Sequence, residues 1–292
     1  MGVVPEGPTL HMTSGDIAGS SLAKSGIPGE VFVWHDILYD GPRKPGWPDD
    51  ETLQSRALFL GDVTGGGLKR EQILETLRTQ YRKLETAGNY DGLVLWFDAC
   101  LFDQAMLAHI LACLRLLGNE QAEFICVDAY PGIQPYHGLG QLSPEQLASV
   151  YGQQKLVTAD QFHFAETVDA AFALQDKAMF IELSHLNKAP LPWIPAAVTR
   201  WLQELPDEAT VLGRLEQLAL DAICSGCHKP AEIFARVSAH ETPPQFWGDI
   251  TLWAKINGLA DRNLVRIEGP TQRLPQWEGI ADLKLFRVTI PE

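Results

Sequence analysis

The sequence predicts an α/β protein: a Rossmann-like parallel sheet over residues 1–132, a helical middle region over 133–206 and a winged-helix-like region over 207–292. Three observations predict it. Strand-like and helix-like segments alternate over residues 9–130, the signature of a parallel sheet covered on both faces. A Gly- and Pro-rich linker, PGIQPYHGLGQL at 131–142, ends that alternation. Three short helical patterns followed by two strand-like runs then close the chain.

The elements follow in order. Residues 9–12 and 31–34 are short apolar runs and read as strands, with a short helix at 20–24 and Gly26 as its stop between them. Pro48 followed by acidic residues starts a helix over 49–60, and Gly65-Gly66-Gly67 breaks the chain. Ile73, Leu77, Tyr81 and Leu84 recur at helical spacing within 68–85. Gly92 opens a third strand, 93–97. The helix 103–117 carries an apolar stripe of Leu107, Ile110, Leu111, Leu114 and Leu117, and 124–127 is a fourth strand. Ser143 as N-cap and Pro144 at the first helical position start the middle region, which is helical at 159–174 and 195–205. The last part reads as helices at 211–223, 230–237 and 245–259 and strands at 264–267 and 283–290.

Composition bounds the partners. With 46% hydrophobic and 21% charged residues, the chain has enough apolar material for a sizeable core. A net charge of −14 argues against a phosphate-rich partner for the surface as a whole, because nucleic-acid affinity rests on Lys and Arg. No apolar run approaches the roughly 18 residues that span a bilayer. The opening MGVVPEGPTL lacks a basic segment and a long apolar segment, so no secretory leader is expected and the location is expected to be cytoplasmic. Five cysteines without regular spacing argue against a disulfide framework.

The polar ends of the four strands locate the site, since ligands of open α/β sheets bind outside the carboxyl ends of the strands. Thr13-Ser14-Gly15-Asp16 closes the first strand. It reads either as a ligand loop offering backbone N–H groups or as a tight turn in which Asp16 caps the next helix. The G-x-G-x-x-G fingerprint is absent, and Asp16 repels a phosphate unless a cation intervenes. Trp34-His35-Asp36 closes the second strand, and His35 suits acid/base work near neutral pH. Neighbours on a strand face opposite sides, so His35 and Asp36 need not cooperate. Asp98 closes the third strand, and Asp103 opens the next helix, where capping alone accounts for it. Asp128 ends the fourth. His11, Asp16, His35, Asp36, Asp98 and Asp128 have ligand chemistry for a divalent metal, but no tight motif spacing supports one. Cys224-Ser-Gly-Cys227-His228 matches c-type haem attachment as a string, yet it falls in a turn between two helices and reads as structural. The third C-terminal helix offers Asp249, Thr251 and a single Lys255 where a DNA-reading helix carries Arg, Lys, Asn or Gln. Residues 207–292 hold 9 Lys and Arg against 12 Asp and Glu.

These segments resemble the bacterial domain-of-unknown-function 1835 family. Its motif H-x-x-N-G-D-S is similar to His11, Ser14, Gly15, Asp16 and Ile17. Its W-x-D-x-L-x-x-G-P matches Trp34, Asp36, Leu38, Gly41 and Pro42. Its third motif partly matches 96–104, its G-L-G-Q-L matches 138–142, and its F-x-G-D resembles Phe246, Gly248 and Asp249. This chain departs from the pattern at Ser14, Ile17, Asp98 and Cys100, where the family has Asn, Ser, Glu and Asp. The resemblance implies no reaction, but it favours Asp16, Asp36, Asp103 and Gln141 as site residues.

Taken together, the expected catalytic candidates are Asp36, Asp98 and His35. The expected ligand-binding residues are Thr13, Ser14, Gly15, Asp16, Trp34, Asp103, Gln104 and Gln141. No metal ligand set and no cofactor is selected, and neither an oligomeric state nor a membrane partner is implied. The expected function is binding of a small polar or nucleotide-like molecule at the strand ends, with catalysis there left open. The alternative is a ligand-responsive regulator that contacts DNA through 207–292.

Overall fold

The computed structural model describes residues 8–206, 211–277 and 280–291. The N-terminal part runs β1 (Thr9–Ser14), α1 (Asp16–Ala23), β2 (Glu30–Trp34), α2 (Asp50–Val63), α3 (Arg70–Glu85), β3 (Gly92–Asp98), α4 (Leu101–Leu116) and β4 (Glu123–Val127). Then come α5 (Pro144–Val150), the short β5 (Lys155–Leu156), α6 (Ala159–Leu174), α7 (Lys177–Ser184) and α8 (Ile194–Leu202). The chain closes with α9 (Arg214–Cys224), α10 (Pro230–His240), α11 (Asp249–Asp261), β6 (Arg266–Glu268) and β7 (Arg287–Thr289). The expected boundary at residue 207 lies outside the described residues.

The fold is mixed α/β around a five-stranded sheet of order β2-β1-β3-β4-β5. The first four strands are parallel, and β5 adds antiparallel to β4 at the edge. This is the 2-1-3-4-5 doubly wound order rather than a Rossmann order, and it puts the topological switch between β1 and β3.

Alternation along the strands sorts the two faces. Leu10, Met12, Leu93, Leu95 and Phe97 enter the larger core with α3 and α4, whereas Val94, Trp96, Ile125 and Val127 pack with Ala18 and Leu22 of α1 and Leu147 of α5. Both faces are therefore covered, as a parallel sheet requires. α4 is buried almost all round, because the sheet covers one side and α6 and α8 the other. The expected stripe ends one residue early: Leu117 is the C-cap and is exposed, since the helix has by then passed the sheet edge.

Local chemistry sets the helix ends. Asp49 caps α2 by accepting from Thr52 N–H at 2.8 Å, and Ser143 and Gln146 form a capping box on α5. The first helix begins at Asp16, earlier than expected, because Gly15 at φ 72° turns the chain straight out of β1. Sequence periodicity did not reveal α7, an eight-residue helix capped by Asp176.

The larger core is continuous from Leu10 to Val288. Tyr39, after β2, meets Phe102, Trp201 and Phe246 edge-on or tilted, so the α/β layer, α8 and the C-terminal region share packing. Two buried ionic clusters brace these joints. Asp169 of α6 accepts from Arg43 at 2.5 Å, His109 at 2.9 Å and Gly46 N–H at 2.6 Å, while Tyr81 bonds the far side of His109 at 2.7 Å. Burial opposes the imidazolium, yet the Cys113 sulfur and the Asp169 carboxylate raise His109 to about 9. Burial likewise opposes the Asp169 carboxylate, but His109 and Arg43 outweigh it and hold its pKa well below the usual range. Arg200 of α8 pairs in the same way with Glu204 and Glu241 at 2.6 and 2.7 Å.

Cys224 ends α9, and the chain from Ser225 to His228 turns into α10. His228 donates through Nδ1 to the Val288 carbonyl at 3.0 Å, tying the turn to β7. Among the described residues no group of three His, Cys, Asp or Glu side chains is placed to hold a metal ion. No helix among them is long and apolar enough to cross a membrane.

Candidate functional site

The expected site residues divide between two strand ends. At the end of β3, next to the topological switch, Asp98 and Asp103 form a buried carboxyl pair. Asp103, expected as a ligand-binding residue or as a helix cap, lies inside the first turn of α4 and faces back to the sheet. One of its oxygens accepts from Ser14 Oγ at 2.5 Å and the other from Asp98 N–H at 2.6 Å. It thereby ties the ends of β1 and β3 together. Asp98 accepts from Tyr136 Oη at 2.6 Å and from Leu139 N–H at 2.7 Å. All four carboxylate oxygens are thus engaged by the protein.

Among the described residues no basic side chain compensates the pair. Burial, and then the charge of Asp103, push the Asp98 pKa well above the usual carboxylate range. Burial raises Asp103 to about 6 against the hydrogen bonds from Ser14 and the Asp98 amide. Burial and the like charge of its neighbour thus favour the protonated form of Asp98. The loop 134–142 covers them. At Gly138, φ is 147° and an added Cβ would lie 2.7 Å from Asp98 Oδ2, so only glycine lets the loop close here. Asp98 is therefore sealed and does not act as an accessible catalytic group. Gln104 is fully buried and donates to the Asp98 carbonyl at 2.7 Å, and Gln141 is exposed and accepts from His137 N–H at 2.5 Å. Gln104 thus braces the end of β3, and Gln141 braces the loop from within.

The end of β2 is built differently. The strand alternation continues past Trp34 and sends successive side chains to opposite sides. Trp34 is fully buried against Tyr81 and His109, so it is core and not a ligand contact. His35 turns toward α1, where its Nε2–H donates to Asp16 Oδ1 at 2.8 Å. That bond sets the tautomer and leaves Nδ1 without a hydrogen bond. The His35 main chain is fixed by its own N–H, which donates to Gln80 Oε1 at 2.6 Å. Asp36 turns the other way, toward α2, and forms a buried ion pair with Arg56. The guanidinium also donates to the carbonyls of Asp40 at 2.6 Å and Ile37 at 2.8 Å. Asp36 Oδ1 accepts in addition from Ile37 N–H at 2.7 Å, but Oδ2 is buried without a partner. Asp36 thus anchors the turn after β2 in place of standing free as a base.

This end opens into a cavity of about 440 Å³, a size typical of small-molecule sites. Its polar side carries His35, Asp16 and Asp36, and its apolar side carries Leu68, Ile73, Phe102 and Trp277. A second cavity of about 450 Å³ adjoins it and shares His35, Gln72 and Thr76. His35, with its side chain 46% exposed, stands between the two. Thr13 is buried within β1, and Ser14 and Gly15 connect the sheet to α1 without lining this cavity.

Arg56, Gln80 and Trp277 complete the site and were not expected. Arg56 left a trace: it sits on the apolar face of α2 between Leu53 and Leu60, and a lone Arg in a buried stripe implies a buried carboxylate. Trp277 left none, because it arrives from the far end of the chain.

No protein-family model matches the chain, and no curated protein matches it.

Proposed function

We propose that the chain binds a small molecule in the cavity at the carboxyl end of β2 and exchanges a proton with it through His35. The observation that carries this reading is the 2.8 Å His35–Asp16 bond at the mouth of a cavity of about 440 Å³. A carboxylate that accepts from one imidazole nitrogen orients the ring and stabilises the imidazolium, so the other nitrogen serves as the base. His35 and Asp16 are thereby the acid/base pair, and Asp36 with Arg56 is the scaffold that holds their turn. The position at the end of a parallel strand agrees with where such sheets bind ligands.

The test is a fragment screen by NMR against the full chain, run in parallel on Thr76→Trp, whose bulk fills the space shared by the two cavities. Ligands of this site shift the His35 ring signals and lose affinity in Thr76→Trp. Hits that bind Thr76→Trp unchanged and leave His35 unmoved place the site elsewhere.

We further propose a winged-helix-like arrangement for 211–291, supported by the order of three helices and a β6–β7 hairpin. Its α11 buries Leu252, Trp253 and Ile256, and Lys255 lies 3.9 Å from Glu204, so this helix serves packing in preference to DNA reading. The regulator reading predicts a salt-dependent mobility shift with genomic DNA; the packing reading predicts none. The motif matches at Asp16, Trp34, Asp36 and Gly138 support membership of the domain-of-unknown-function 1835 family as a diverged member.

A further inference from the structure

We propose that the β2-end cavity takes an aromatic amine, a planar apolar body carrying an ammonium or N–H donor, and disfavours phosphate-bearing nucleotides; this rests on the site assignment above. Charge is the first argument. The cavity lining contains Asp16 and Asp36 and no Lys or Arg. The guanidinium behind it, Arg56, is already engaged by Asp36 and two backbone carbonyls. A phosphate entering here meets the exposed Asp16 carboxylate, with Asp36 and Arg56 already neutralising each other, and a chain of net charge −14.

The N-terminus of α1 adds little for an anion, because Asp16 stands in its first turn and sets a carboxylate of the protein near the positive end of the dipole.

The second argument is an accessible carboxylate. Asp16 lines the cavity with its side chain 79% exposed, and a carboxylate gains more from a charged N–H donor than from a neutral one.

The third argument is shape. Phe102 of α4 and Trp277 of the C-terminal segment both line the cavity, with Leu68 and Ile73 adding apolar wall. Trp277 is 43% exposed and is the large aromatic with most surface left to bury. Its backbone is held from two directions: Gln276 donates to the Val63 carbonyl at 2.6 Å, and the Trp277 side chain packs on Gly67, where a Cβ would lie 2.4 Å away. A planar ligand stacked on a positioned Trp gains area at low entropy cost, and an ammonium adds a cation–π contribution. The residue that completes the site therefore belongs to the C-terminal region, and ligand binding ties that region to the sheet.

The experiment is calorimetric titration of the full chain with tryptamine, with indole-3-acetate and AMP as anionic counterparts. Tryptamine is expected to bind at one site, and both anions at least about tenfold more weakly, a difference of about 1.4 kcal/mol. Trp277→Ala and Phe102→Leu are expected to weaken tryptamine about tenfold or more. Asp36→Asn disturbs a buried ion pair, so Trp277→Ala, at an exposed position, is the decisive variant. Absence of tryptamine binding at millimolar concentration overturns the proposal, as does AMP or indole-3-acetate binding as tightly as the amine. If such an anion loses binding in Thr76→Trp, the site stands and the ligand class falls. If tryptamine binds Trp277→Ala and Thr76→Trp as it binds the native chain, the site assignment falls too.

Discussion

The ends of β2 and β3 carry the same kind of residue in equivalent places, and the molecule uses them in opposite ways. At β2 the buried acid, Asp36, is neutralised by Arg56, and its neighbour His35 faces an open cavity. At β3 two acids, Asp98 and Asp103, share a closed space with no counter-charge among the described residues, and a loop donates to Asp98 from above. Burial without a cation raises the Asp98 and Asp103 pKa values and turns the carboxyls into structural acceptors. An acidic residue at a strand end is thus no marker of a site by itself. What decides is whether the space beyond it is filled.

The contrast is easiest to break at Arg56. Arg56→Met leaves Asp36 buried without its partner, and a loss of about 3–5 kcal/mol in denaturant unfolding is expected. A loss under about 1 kcal/mol would mean that the β2 end does not depend on charge compensation.

At β3 the expected sign is reversed. The Asp103 pKa is about 6 in the folded chain against an ordinary 3.8. A raised acid pKa stabilises the fold below the unfolded value, and that contribution is lost as pH rises through the folded one. The native chain should therefore lose stability between about pH 4 and 6. Asp103→Asn, which still has an acceptor for the Asp98 amide and a donor for Ser14, should remove about 2–3 kcal/mol of that dependence. Parallel unfolding curves at pH 4 and 7 measure it.

Tyr136→Phe deletes one donor to Asp98 and leaves a buried oxygen unsatisfied. It is expected to cost about 1–2 kcal/mol and to speed hydrogen exchange at the Leu139 amide, whose own bond to Asp98 anchors the same loop. The smallest effect on stability belongs to Asp16→Asn. The Asp16–His35 pair is exposed, so no measurable change in the unfolding midpoint is expected, and a clear drop would give the pair a structural role.

Much of the fold was legible because its signals are local. Strand alternation, the Gly65–Gly67 break, the Ser143-Pro144 start and the stripe of Ile73, Leu77, Tyr81 and Leu84 each act within one or two turns of chain. The polar strand ends were equally visible, and His35 and Asp36 were expected to diverge because neighbouring strand residues face opposite sides; the structure places them so. The roles of Trp34, Asp103, Gln104 and Gln141 were not legible. Each depends on what another segment brings against it: Tyr81 and His109 onto Trp34, Ser14 onto Asp103, the Asp98 carbonyl onto Gln104, and the loop amide of His137 onto Gln141.

The amino-acid sequence by itself determined the sheet, its covering helices and the strand ends at which side chains gather, since periodicity and turn chemistry are properties of contiguous residues. Only the tertiary structure decided which end stays open. Tyr136 and Leu139 reach Asp98 across about forty residues, and Trp277 reaches the β2 cavity from the last part of the chain. Burial, counter-charge and access are set by such distant neighbours, and they separate a sealed carboxyl pair from a site.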